Sequence, residues 1–224
     1  MLIFDKIFPS KCALCSDPSQ LGFCDLCQQL LPWKNDYCDI CASELTTPGI
    51  CGACQARPPR YQKAIIPFHY QPPISEHIQK LKYHNQFYYA YCFSRIMANY
   101  IVSQSVELPQ AIVPIPLHRR RIYTRGFNQV IEIAKGLSGE LKIKVDTSIL
   151  SREKNTTTQT GLSERDRIKN MEHAFRANEK TNYSHVAILD DVVTSGSTVN
   201  EAADTLIQAG VGKVSVWAIA KTEF

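Results

Sequence analysis

Eight of the nine cysteines fall between residues 12 and 54, as four CxxC pairs: Cys12/Cys15, Cys24/Cys27, Cys38/Cys41 and Cys51/Cys54. A stretch this short, with few long apolar runs, cannot bury enough surface to fold without a staple. In a reducing compartment that staple is metal rather than disulfide. Tetrahedral zinc takes four thiolates, so eight thiolates make two sites. The separations, eight residues from Cys15 to Cys24 and nine from Cys41 to Cys51, fit two consecutive ribbons. One site is then Cys12, Cys15, Cys24 and Cys27, and the other is Cys38, Cys41, Cys51 and Cys54. A cross-braced pairing and a degraded site are the alternatives. Iron-sulfur ligation suits repeated CxxC knuckles less well than zinc does, and buried free thiols are the weakest reading. With every thiolate consumed no coordination position is left open, so zinc (Zn2+) here is expected to be structural.

The segment Arg57-Pro58-Pro59-Arg60 closes this module, which divides the chain into a double zinc-ribbon module at residues 1–60 and a larger domain at 61–224. The opening Met1-Leu2-Ile3-Phe4-Asp5-Lys6 has an acid where a secretory signal needs a basic start, and no apolar run nears the roughly 20 residues that span a bilayer. The expectation is a cytoplasmic protein with no membrane insertion. Beyond residue 60 the texture changes. Ala64-Ile65-Ile66 reads as a strand, Ile74, Ile78 and Leu81 recur at helical spacing, and a second helix covers Tyr88 to Val102, with Cys92 a packing residue inside it. Three apolar runs, Ala111–Ile115, Val186–Leu189 and Val214–Ile219, are of the kind buried on both faces of a parallel sheet. Helical stretches from about Phe127 to Leu137 and about Thr198 to Ala209 separate them, the latter closed by Gly210. Alternating strands and helices imply an α/β domain that binds ligands beyond the carboxyl ends of its strands.

Two stretches carry candidate chemistry. In Val186-Ala187-Ile188-Leu189-Asp190-Asp191-Val192-Val193-Thr194-Ser195-Gly196-Ser197-Thr198, a buried strand delivers two carboxylates to the sheet edge, where they can accept hydrogen bonds from a ribose diol and sit near hydrated magnesium (Mg2+). The turn of Thr194, Ser195, Gly196, Ser197 and Thr198 offers hydroxyls, a glycine for close backbone approach and a helix N-terminus behind it, which together cradle a phosphate monoester. An ordinary strand-loop-helix junction would need neither the acid pair nor so many hydroxyls. The second stretch holds Arg119, Arg120, Arg121 and Arg125. The whole chain has 25 Lys+Arg against 21 Asp+Glu, a balance that by itself demands no nucleic acid, yet the first 60 residues hold five basic and six acidic residues, so the excess lies downstream. These arginines suit a diphosphate or a phosphate backbone, although a solvated basic loop is an equal reading of the cluster alone.

The Asp-Asp-to-Thr198 segment resembles the ribose-phosphate signature of the type I phosphoribosyltransferase fold. The stretch Pro114-Ile115-Pro116-Leu117-His118, the arginines and Arg125-Gly126-Phe127-Asn128-Gln129 are similar to the ComF family of competence-associated proteins. So are Arg152, Thr158-Gln159-Thr160-Gly161-Leu162-Ser163, Arg167, Asn170 and the cysteine-rich front end. The resemblance implies a type I phosphoribosyltransferase-like parallel sheet with helices on both faces, preceded by the zinc-ribbon module. It also implies that Asp190 and Asp191 hold ribose hydroxyls, that residues 194–198 hold the 5′-phosphate, and that Arg121 and Arg125 lie on the pyrophosphate side. Residues 152–170 are then a flap, in keeping with the wholly polar run Asn155 to Thr160. The implied ligands are phosphoribosyl pyrophosphate (PRPP) with magnesium and single-stranded DNA, and the implied role is in DNA uptake during natural transformation. For DNA, Tyr83, Phe87, Tyr88 and Tyr123 are the aromatic candidates for stacking. A translocation helicase or another competence protein is the implied partner. The rival expectation is an active phosphoribosyltransferase of nucleotide-related metabolism.

Overall fold

In the computed structural model, residues 11–153, 174–178 and 181–223 are described. The flap expected at residues 152–170 therefore lies, from residue 154 onward, outside the described residues. Two short helices, α1 (Asp25–Gln29) and α2 (Gly52–Ala56), belong to the cysteine-rich region. The strands and helices that follow are β1 (Lys63–Ile65), β2 (Phe68–His69), α3 (Ile74–His84), α4 (Tyr88–Ser103), β3 (Ala111–Pro114), α5 (Arg119–Arg125) and α6 (Gln129–Leu141). After them come β4 (Lys144–Val145), β5 (Leu150–Arg152), β6 (Phe175–Ala177), β7 (His185–Val193), α7 (Ser197–Gln208) and β8 (Lys213–Lys221).

The main sheet runs β1-β8-β7-β3-β4, every pair parallel, with β2 continuing along β8 beyond β1. Strands 5 and 6 form a separate antiparallel pair. Side chains alternate across a strand, so a strand buried on both sides must be apolar throughout. That is why β7 and β8 read as unbroken apolar runs. Ile112, Ala187, Leu189, Trp217 and Ile219 join one core cluster with residues of α3, α4 and α6. Ala111, Val113, Val186, Ile188, Val216 and Ala218 join another with Val199, Ala202, Ala203 and Leu206 of α7, the i, i+3, i+4, i+7 stripe of an amphipathic helix. Helices therefore cover both faces of the sheet.

The cysteine-rich region is packed onto this domain rather than tethered to it. Phe23 and Leu31 are buried within the α3/α4/α6 core, and Ala42 within the α7 core. Burying Phe23 alone contributes roughly 2 kcal/mol. Main-chain hydrogen bonds from Ala64 to Ile40 (2.7 Å), Lys34 to Pro67 (2.8 Å) and His69 to Pro32 (2.8 Å) extend the sheet edge into the ribbons. Buried Lys34 pairs with Glu223 near the end of the chain. Cys92 packs as expected: it is fully buried and faces Gly22, and burial pushes its thiol up to about 12.

The arginine segment differs from the sequence reading. It is a short helix, α5, opened by His118, whose Nδ1 accepts from the Arg120 amide (3.2 Å), and closed by Gly126 at φ 83°. None of its residues is buried, so no apolar period was there to reveal it. The next helix accordingly starts at Gln129 rather than Phe127, with the Asn128 side chain capping the Val130 amide (3.0 Å).

Candidate functional site

The eight cysteine sulfurs gather into the two groups of four that consecutive ribbons require. Cys12, Cys15, Cys24 and Cys27 form one, Cys38, Cys41, Cys51 and Cys54 the other, with the ligand atoms of each within 4.8 Å of one another. A tetrahedron with bonds of about 2.3 Å to sulfur has edges near 3.8 Å. The Cys15–Cys24 and Cys41–Cys51 sulfurs stand 3.6 and 3.7 Å apart, so both donor sets fit zinc. Backbone amides supply the outer shell: Leu14 donates to Cys12 Sγ (3.4 Å) and Cys51 to Cys38 Sγ (3.3 Å). Burial opposes ionisation of Cys12 and Cys38. Amide hydrogen bonds nevertheless outweigh it and bring them down to about 6 and about 7. These are two structural tetracysteine zinc sites. Cross-bracing is excluded because each site draws on neighbouring knuckles.

At the carboxyl ends of β3 and β7 a cavity of about 340 Å³ brings the other candidate residues together. Asp190, Asp191, Thr194, Gly196 and Thr198 line it from one side, Arg121 and Arg125 from another. Arg119 and Arg120 do not line it and are exposed on α5, beside Tyr123, which is 92 % exposed. The arginine cluster is therefore divided between the cavity and the outer surface. Ser195 and Ser197 also lie off the lining, their hydroxyls 3.0 Å apart.

The two acids are held differently. Strand alternation turns Asp191, like Ala187 and Leu189, toward the face that carries α3 and α6. There Lys82 Nζ meets its Oδ1 at 2.9 Å and Gln129 Nε2 its Oδ2 at 2.5 Å. Burial alone would discharge Lys82, but Asp191 beside it keeps the ammonium charged and its pKa raised. Asp190 gains less. Burial, and then the charge of Asp191, push its carboxyl up to about 7 despite Lys82, the Asp191 amide and Arg152. An ionised Asp190 is thus short of positive partners, an environment that suits a cation carried in with a ligand.

The turn 194–198 is shaped by Gly196, at φ 78°, which is the N-cap of α7; having no side chain to cap the helix, it leaves the Ser197 amide to the Ser195 hydroxyl (3.4 Å). Only glycine enters this conformation without cost. The turn also leans on the second zinc ribbon. Buried Lys221 donates to the Thr194 carbonyl (3.3 Å) and lies within electrostatic reach of Cys41 and Cys54, and the Tyr61 hydroxyl stands 3.7 Å from where a Gly196 Cβ would be.

Sequence reasoning did not single out Lys82, and it placed Gln129 and Arg152 in family motifs without giving either a role at the site. Lys82 sits in an amphipathic helix where a lysine normally marks the wet face, and Gln129 is the first residue of α6. Only the meeting of α3 and α6 at the β7 end gives them partners.

Comparison with known proteins bears on this geometry. Residues 3–55 match the double zinc ribbon domain family. Over 210 residues the chain is 37 % identical to "Competence protein F" of Haemophilus influenzae, covering 89 % of this chain and 90 % of that one. Over 222 residues it is 34 % identical to "DNA utilization protein YhgH" of Escherichia coli K12, covering 96 % and 98 %. Among solved structures, a Bacillus subtilis glutamine phosphoribosylpyrophosphate amidotransferase covers 58 % of this chain and 25 % of its own, at 16 % identity and a TM-score of 0.38. A Staphylococcus aureus hypoxanthine phosphoribosyltransferase covers 59 % and 62 %, at 11 % identity and a TM-score of 0.34.

Proposed function

Because this chain belongs to the ComF family, that of competence protein F and the DNA utilization proteins, we propose that it serves DNA uptake in the cytoplasm by binding PRPP in the cavity and single-stranded DNA on α5. One observation carries this reading: a single cavity gathers an acid pair, a phosphate turn at a helix N-terminus and two arginines. In it the turn 194–198 takes the 5′-phosphate, Asp190 and Asp191 take the ribose hydroxyls, and Arg121 and Arg125 take the diphosphate. Magnesium carried on the diphosphate would add positive charge beside Asp190 to that of Lys82 and Arg152. No helix among the described residues is long and apolar enough to cross a membrane.

The division of the arginines supports two ligands rather than one. Arg119 and Arg120 lie outside the cavity with exposed Ile122 and Tyr123, and Tyr83 is 68 % exposed nearby, within 5.3 Å of Arg125. Basic residues interleaved with aromatics suit a single strand, whose bases stack without sequence preference. A partner of the helicase kind would act on that same strand.

The test separates the two surfaces. PRPP with magnesium is expected to raise the melting temperature, since a ligand that binds only the native state stabilises it. Asp190→Asn with Asp191→Asn removes most of that rise. Arg121→Ala with Arg125→Ala lowers PRPP affinity, whereas Arg119→Ala with Arg120→Ala lowers DNA affinity and flattens its salt dependence. An unchanged PRPP shift in the double Asn variant refutes the ribose assignment. Pyrophosphate release with a nucleobase acceptor would instead establish an active phosphoribosyltransferase.

A further inference from the structure

Four side chains from four elements form a continuous line across the floor of the cavity. Lys82 of α3 meets Asp191 of β7 at 2.9 Å, Asp191 accepts from Gln129 of α6 at 2.5 Å, and Gln129 accepts from Arg125 Nη1 of α5 at 2.5 Å. Gln129 is 3 % exposed, so both ends of its amide need partners inside the protein. An amide has one donor end and one acceptor end. With Nε2 committed to Asp191, only Oε1 remains, and an oxygen there selects a donor such as the Arg125 guanidinium. The direction of the whole line thus depends on Asp191 being a carboxylate. Lys82 matches that form, its ammonium standing 2.9 Å from Asp191 Oδ1. The residue after Lys82 acts on the same arginine: the Arg125 guanidinium lies 5.3 Å over the Tyr83 ring.

We infer that Lys82, Asp191 and Gln129 are positioning residues that hold the Arg125 guanidinium at the diphosphate end of the cavity. The inference rests on the PRPP reading above and adds to it that these three residues act on a diphosphate only through Arg125. A guanidinium on a flexible stem loses rotamer freedom when it binds a ligand, and one already held by Gln129 and Tyr83 loses less.

The experiment is a double-mutant cycle read by calorimetric titration of inorganic pyrophosphate into the full, zinc-loaded chain, with ribose 5-phosphate as a second probe. Gln129→Leu and Lys82→Met are each expected to weaken pyrophosphate binding about tenfold in the parent and by no more than about twofold in an Arg125→Ala background. Gln129→Leu should leave ribose 5-phosphate within about twofold, because the phosphate turn is untouched. Lys82→Arg, which keeps the charge beside Asp191, should restore pyrophosphate binding. Gln129→Leu leaves no buried charge behind, so it reports even where Lys82→Met fails to fold. Additive losses on the Arg125→Ala background, or equal losses for both probes, overturn the inference while leaving the PRPP reading intact. A parent protein that binds neither probe overturns both.

Discussion

At Asp190 a single side chain ties stability to pH. Its carboxyl is raised from 3.8 to about 7, first by burial and then by the neighbouring charge of Asp191. Between those two values the folded chain keeps a proton that the unfolded chain has released. The unfolded state therefore binds fewer protons, and this residue makes stability fall as pH rises from about 4 to about 7 and level off above that. Asp190→Asn should remove that slope: little effect near pH 4, and at pH 8 a melting midpoint higher by roughly 2–4 °C for each kcal/mol released. Thermal melts of both proteins across this range check it, and parallel curves would show that Asp190 ionises freely. Asp191, one residue on, instead meets Lys82 Nζ at 2.9 Å and Gln129 Nε2 at 2.5 Å. Adjacent identical residues thus receive different chemistry from the two faces of one strand.

At the scale of elements, the seat of the first ribbon on α4 depends on a close backbone approach as well as on the packing of Phe23 and Leu31. Gly22 adopts φ 78°, and a Cβ there would lie 2.5 Å from Cys92 Sγ, 2.6 Å from its Cβ and 2.7 Å from its Cα. Trimming Cys92 to alanine would not relieve the contact, since two of those atoms remain. Gly22→Ala is therefore expected to cost about 2–4 kcal/mol, combining left-handed strain with overpacking. Urea denaturation measures it, and a loss below about 0.5 kcal/mol would mean that the ribbon shifts freely on α4. Adding Cys92→Ala should rescue little of it. The glycine was visible in the sequence, but its role was not, because the atoms it must clear lie 70 positions away in the chain.

Over the whole molecule, the ribbons and the α/β domain share their cores, so zinc supports more than the residues that bind it. Phe23 and Leu31 fill one cluster and Ala42 the other. Metal binding to such a module is folding free energy. Removing zinc should lower the stability of the entire chain by several kcal/mol. The two sites should differ in their effect on the cavity. The second lies within electrostatic reach of Tyr61 and Lys221, which adjoin the turn 194–198, whereas the first sits on α4. Cys54→Ser is thus expected to weaken PRPP binding more than Cys15→Ser does. Equal losses in a binding titration, at matched zinc content of the intact site, would show that the turn holds its shape without the ribbon.

Much of this was legible from the chain because the relevant physics is local. Cysteine spacing identified four knuckles, since a CxxC turn brings its two sulfurs together whatever surrounds it, but it left cross-bracing open until the fold grouped neighbouring knuckles. Unbroken apolar runs determined the buried parallel strands, and the acid pair with its glycine turn located one wall of the cavity. Tertiary structure alone decided the rest. It divided four consecutive-looking arginines between the cavity and the surface, because a helical turn faces Arg121 and Arg125 inward and Arg119 and Arg120 outward. It gave Asp191 a lysine and a glutamine that lie 109 and 62 positions away in sequence, and left Asp190 without an equal partner. Spacing along a chain specifies what a short segment can do by itself, whereas the charge a buried carboxylate carries is set by whichever distant side chains the fold brings to it.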